Sequence, residues 1–159
     1  MVVTTIGNTS AKIIIADHAT IASATYAWYL EAAQCWEIDP LPIAQDTKDE
    51  AAGISIAFKP FIKSVDWRIV GAKITNETDY FNLKKAIGSW EKNSTLLYLF
   101  VYNEWSSNNH AVMPTYATPT TNSQITGTLR SLAINHSFPA MKIVNVDFKY
   151  KNKMVAVGS

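Results

Sequence analysis

The spacing of hydrophobic and polar positions changes several times along the chain, and each change marks an element. Ile13, Ile14 and Ile15 stand in a row, a β-branched run too short for a helix, which predicts a strand covered on both faces. Asp17 and His18 end it. From Ala19 to Cys35 the chain is rich in Ala and carries Tyr26, Trp28, Tyr29 and Leu30. Period alone does not separate helix from strand there, and we read a strand around Tyr26 to Leu30. Cys35 to Ile38 is another extended piece, stopped by Pro40 and Pro42, because each proline disfavours helix in the residue before it. Ile54, Ile56 and Phe58 then alternate with Ser55, Ala57 and Lys59 up to Pro60, the period-two pattern of a half-buried strand.

The stretch from Ser64 to Trp105 reads as strand, capped helix, strand. Val65, Trp67 and Ile69 share one side of the first strand, after which Val70, Ala72 and Ile74 take over on the other. That change fits a strand buried on both faces at its end, with Gly71 as a place for a bulge or a close backbone approach. Asn76 is a suitable N-cap, Glu77 and Asp79 favour a first helical turn, and Tyr80, Leu83, Ile87 and Trp90 recur at three and four, predicting one apolar stripe over about residues 77–92. Asn93 is the expected left-handed stop. The unbroken run Leu96 to Tyr102 predicts a central strand beneath that helix.

Residues 103–124 form a long loop dominated by Asn, Ser, Thr and Pro, yet it carries Trp105, Val112, Met113 and Tyr116, which a purely solvated linker would not need. Strand character resumes from Ile125 to Ile134, and its apolar parity shifts near Ser131, predicting a bulge or a twist there. Asn135 to Pro139 is a turn. Val144, Val146, Phe148 and Tyr150 against Asn145, Asp147 and Lys149 give the last strand a clean alternation. The expected fold class is mainly β, a β-sandwich or barrel with one flanking α-helix, built as a single domain over residues 1–159 with the long loop at 103–124.

Composition narrows the function. With Lys+Arg 14 against Asp+Glu 13 and charged residues at 17%, the chain has neither a nucleic-acid footprint nor a solvating acidic balance. One cysteine, Cys35, permits no internal disulfide, and between apolar neighbours it reads as a small core hydrophobe. The opening residues lack a basic region ahead of a long apolar stretch, so a soluble protein made in the cytoplasm is expected. Four Asn-x-Ser/Thr sequons at Asn8, Asn76, Asn93 and Asn135 are on that reading chance matches. His18, His110 and His136 lie in separate turns or loops without metal-ligand spacing, and no nucleophile elbow or phosphate-binding glycine loop occurs. Asp46, Asp49 and Glu50 read as a solvated loop face. We therefore expect no catalytic, cofactor-binding or metal site.

The order of elements resembles a known family. The alternating strand ending GAKIT, the helix TNETDYFNLKKAIGSWEKN, the apolar strand LLYLFVY, and then ITGTLRSLAINHSFPAMKIVNVDFKYK look like the tail tube and related tail-completion or baseplate proteins of tailed viruses. The resemblance covers Ile54 to Tyr150, and in the N-terminal third only the segment CWEIDP has a counterpart. It implies a structural virion protein, not an enzyme, that self-assembles into stacked hexameric rings. Its partners would be copies of itself and other tail proteins, with DNA passing through the lumen without specific binding and no membrane involved. Within that resemblance the interface residues would be Trp105, Val112, Met113 and Tyr116 on one excursion and Leu41 and Ile43 on the other. The alternative reading is a ligand- or carbohydrate-binding β-sandwich, with Trp36, Trp105 and Tyr116 as a stacking platform.

Overall fold

A computed structural model describes residues 2–38, 47–49, 53–55, 62–63, 65–105, 112–114, 120, 122–150 and 155–156. The strands are β1 (Thr4–Ile6), β2 (Ile13–Ala16), β3 (Tyr26–Tyr29), β4 (Gln34–Ile38), β5 (Thr47–Asp49), β6 (Gly53–Ser55) and β7 (Ile62–Lys63). After them come β8 (Asp66–Ile74), the helix α1 (Glu77–Asn93), β9 (Leu97–Val101), β10 (Val112–Pro114), β11 (Asn122–Asn135), β12 (Lys142–Tyr150) and β13 (Val155–Ala156). The fold is mainly β with one helix, as the periodicity predicts.

Nine strands make one mixed sheet in the order β1-β3-β2-β9-β11-β12-β8-β4, with β10 paired to β11 off that path. β1 and β3 run parallel, and the remaining neighbours are antiparallel. β5–β6 and β7–β13 are separate two-stranded pairs. The main sheet ends in β1 and β4, and β3, the neighbour of β1, is followed directly in the chain by β4. Between them Glu31 bridges to Lys73 of β8, whose N–H donates to the Glu31 carbonyl at 2.9 Å. The sheet therefore curls until the end of β3 comes beside β8, and α1 lies against both β1 and β8.

The interior of that curl is one apolar cluster. Trp28, Trp67, Leu99, Ile125, Val146 and Phe148 meet Leu83, Ala86 and Trp90 from the inner stripe of α1. The predicted stripe is correct in phase, with Tyr80 and Ile87 at its half-buried borders. All four residues of β2 are buried. Ile13 and Ile15 face the interior, while Ile14 and Ala16 face a second cluster with Phe100, Ala24 and Ala27. A 3-10 turn at Ile21–Ser23 belongs to the segment over that outer cluster, with Ile21 packed against it.

Asp17 fastens this arrangement. Its carboxylate accepts from the backbone N–H of Thr25 at 2.7 Å, from that of Tyr26 at 3.2 Å and from Trp90 Nε1 at 3.0 Å. One side chain thus joins the end of β2, the start of β3 and the last turns of α1 by charge-assisted bonds. The Tyr26 and Trp90 rings add an edge-to-face contact with centroids 6.4 Å apart.

At both places where the parity changes the structure has a bulge. β8 pairs Ala72 with Val144 and then Ile69 with Val146, so Val70 and Gly71 together oppose Asn145. Gly71 has φ +81, and its N–H donates to Asn145 Oδ1 at 3.0 Å, a conformation that suits glycine. The expectation that β8 ends buried on both faces is corrected, because Lys73 is exposed between Ala72 and Ile74. The bulge alone accounts for the change of parity. On β11, Leu129 pairs with Phe148 and Ser131 with Asp147, leaving Arg130 as the extra residue.

The helix starts as expected, with Asn76 Oδ1 accepting from Asp79 N–H at 2.8 Å. Its left-handed stop is Ser94 (φ 48, ψ 45) and not Asn93, which is still helical. The Ser94 and Thr95 N–H groups close onto the carbonyls of Glu91 and Trp90 at 3.3 and 3.0 Å, which satisfies the last turn in spite of a non-glycine residue.

Gly127, where β11 passes between β9 and β12, has no room for a side chain. A methyl group there would collide with the Lys149 carbonyl oxygen and stand 2.8 Å from the Phe148 ring. Because the first of these is backbone, relief requires the β11–β12 pairing to open. Gly127→Ala should lower stability by about 3 kcal/mol, measured by urea denaturation with Gly88→Ala as the control, since Gly88 has open space around it. Equal stability of the two variants would contradict this packing.

Candidate interaction surfaces

The excursion between β9 and β11 hangs from a hairpin. β9 and β11 are antiparallel neighbours, with Leu99 opposite Ile125, so the chain leaves and re-enters the sheet at adjacent points. Asn103 marks the exit. It is buried, and its Oδ1 accepts from the Trp105 N–H at 3.1 Å. The Trp105 side chain is 87% exposed, against the usual burial of a large aromatic.

Of the other residues singled out in the sequence, Val112 and Met113 lie in β10, where they pair with Gln124 and Ser123 at the start of β11. Tyr116, Leu41, Ile43 and His110 lie outside the described residues, as do Asp46 and Glu50. The structure thus joins Val112 and Met113 to the sheet and leaves Trp105 pointing into solvent. Among the described residues no strand pairs with the outer side of β4 or β10.

Trp36 is the second exposed tryptophan, 58% accessible on β4. The register places it opposite Arg68, Arg68 opposite Asp147, and Asp147 opposite Ser131. Residues directly opposite share a face, so these four form one row across β4, β8, β12 and β11. Within it Arg68 Nε meets Asp147 Oδ1 at 3.2 Å, and Ser131 Oγ meets Asp147 Oδ2 at 3.1 Å. Alongside, Arg130 Nη1 meets Asp66 Oδ2 at 3.1 Å, and the other Asp66 oxygen is enclosed without a hydrogen-bond partner. Pairs this exposed add little to stability. Sequence reasoning missed the row. Its signal was the outward parity of Asp66 and Arg68 on one strand and of Asp147 on another, which becomes a cluster only once the register is known.

Chemistry in the usual sense is sparse. Among the described residues no three His, Cys, Asp or Glu side chains gather where they could hold a metal ion. His18 Nδ1 is engaged by the Thr20 N–H at 2.9 Å, and His136 rests edge-on against Tyr80. A cavity of about 270 Å³ lies between the C-terminal turns of α1 and the bulge of β11, lined by Ile87, Trp90, Leu97, Leu129 and Leu132, with Glu91 and Arg130 at its edge. No described helix is long and apolar enough to cross a membrane. No family model, curated protein or solved structure matches the chain.

Cys35 packs its half-buried side chain against the interior cluster. Burial, and secondarily the charge of Glu37, push its thiol up from 9.0 to about 12. Because the folded value is raised, the stabilisation is whole below pH 9 and is lost as pH climbs towards 12. Two results should follow. The native protein at pH 8 should react with an aromatic disulfide reagent more than about tenfold slower than the urea-unfolded chain. The stability difference between wild type and Cys35→Ala should shift against wild type as pH rises from 8 to 10. Equal labelling rates for native and unfolded protein would contradict the burial.

Proposed function

We propose that the protein is a structural virion component that assembles into stacked rings, hexameric as in the tail tubes it resembles, forming the tail tube through which a viral genome passes. It works through its surfaces as a non-enzymatic building block located in the virion tail. The observation that carries the reading is the pair of different strands, β4 and β10, whose outer sides have no strand partner among the described residues. β4 carries neither the lysine nor the proline that usually guards an exposed edge. When two different surfaces of identical copies meet, the contact is head-to-tail, and such contacts propagate into rings or filaments. Trp105 stands at the root of the excursion that bears β10, where a desolvated aromatic would anchor an interface. The partners are copies of the same chain and neighbouring tail proteins, with DNA in the lumen held by no specific contact.

Because the excursion hangs from adjacent points of β9 and β11, it can be shortened without breaking the sheet. Wild-type protein concentrated in low salt should show rings or tubes by negative-stain microscopy. A variant with Ser106 to Thr121 replaced by a short Gly-Ser linker loses β10 but should keep a cooperative unfolding transition, and it should stay as small monodisperse particles. Tubes from the shortened variant, or no assemblies from wild type at any concentration, would sink the assignment.

A further inference from the structure

Two exposed apolar features stand at opposite ends of the sheet, and the register fixes where each lies. β12 runs from Lys142, opposite Ile74, to Tyr150, opposite Gly127, and Gly127 in turn faces Leu97. From Leu97 the chain continues away from the Ile74 end through Val101 to Trp105. The rise from Lys142 to Tyr150 is already roughly 26 Å. Trp105 therefore leaves one end of the sheet, and the turn into β12 closes the other.

At that other end a recess of about 320 Å³ lies between the end of β8, the start of α1 and the turn into β12. Ile74, Phe81, Pro139 and Met141 supply apolar surface to it, and Glu77 and Lys142 add one charge of each sign. We infer that Trp105 of one copy seats in this recess of the next, as the contact between successive rings. The inference rests on the assembly proposed above, in which copies meet side by side through β4 and β10, and it names what joins one ring to another.

Three features favour a second copy as the occupant. The first is position: a contact between unlike surfaces at opposite ends of one chain repeats along an axis. Trp36, the other exposed tryptophan, stands instead on the flank of the sheet, in the row that contains Asp147 within β12. The second is fit. An apolar cavity of roughly 150 Å³ accepts benzene, so this one has room for an indole, and Phe81 and Met141 are favourable neighbours for an aromatic ring. The third is charge. Glu104 is exposed beside Trp105, so seating the ring brings its carboxylate towards Lys142 and the positive end of α1. Glu77 offers the acceptor that a buried indole N–H requires. One such contact is too small to hold two free copies together, whereas those around a ring act jointly.

Negative-stain microscopy of variants tests the contact. Wild type should form tubes. Trp105→Ala and Phe81→Glu, both at exposed positions, should keep the wild-type circular dichroism and give single rings, with tubes reduced about tenfold or more. Mixed together, the two variants should give pairs of rings and nothing longer, because one retains the recess and the other the tryptophan. Glu104→Lys should shorten the tubes, and Lys142→Glu in the same chain should restore them. Undiminished tubes from Trp105→Ala or Phe81→Glu would overturn the contact and leave the ring assembly standing. So would wild-type rings that never stack, or loss of the rings themselves in Trp105→Ala. No assembly of wild type at any concentration would overturn both.

Discussion

The structure depends on closing a sheet upon itself. A curled sheet of these strands has an inner face carrying Trp28, Trp67, Phe148 and a dozen aliphatic side chains, and none of that surface is stable in water. The curl is held by one chain segment that crosses from one side of the sheet to the other: β3 binds β1 and β2, the chain turns at Ala32 in a left-handed conformation (φ 58), and β4 binds β8. An alanine there costs about 1–2 kcal/mol relative to relaxed backbone, so the fold tolerates local strain to make that crossing. Beyond the crossing, α1 completes the enclosure. Its position is set by burial of Leu83, Ala86 and Trp90 and by the bond from Trp90 to Asp17.

That closure determines where function can reside. Among the described residues the interior is filled by apolar side chains, and the surfaces that remain are the sheet edges, the outer face and the excursions. β9 and β11 form the hairpin from which the longer excursion projects, and Asn103 sets its departure. The bulge at Arg130 lets β11 follow the curl while turning an arginine outward to meet Asp66. The same distortion that shapes the barrel thereby contributes to the charged row on its outside.

Much of this was legible in the chain. The helix, the doubly covered β2, the clean alternation of β12 and the places of both bulges followed from spacing, because a period reports which face a residue occupies. Spacing does not report neighbours. The parallel pairing of β1 with β3, the bridge from Glu31 to Lys73 and the row from Trp36 to Ser131 are matters of register between segments as many as 79 positions apart, as for Arg68 and Asp147. Asp17 illustrates the same gap. Its place after β2 marked the end of a strand, and nothing local announced that it would hold Thr25, Tyr26 and Trp90 together. Ser94 was missed for another reason: the two donors it and Thr95 supply to the last helical turn offset the left-handed penalty that favours Asn or Gly. Of the expected interface residues, Trp105 is exposed, and Val112 and Met113 lie on a strand with an unpaired side.

On the assembly proposed above, copies of the chain meet through strands β4 and β10. Hydrogen exchange of the assembled protein against the same chain held dilute tests this most directly. Amides of Gln34–Ile38 and those of Val112 and Met113 should gain protection on assembly, while those of β9 and β12, already paired on both sides, should not change. Protection confined to α1, or no change at either strand, would contradict it.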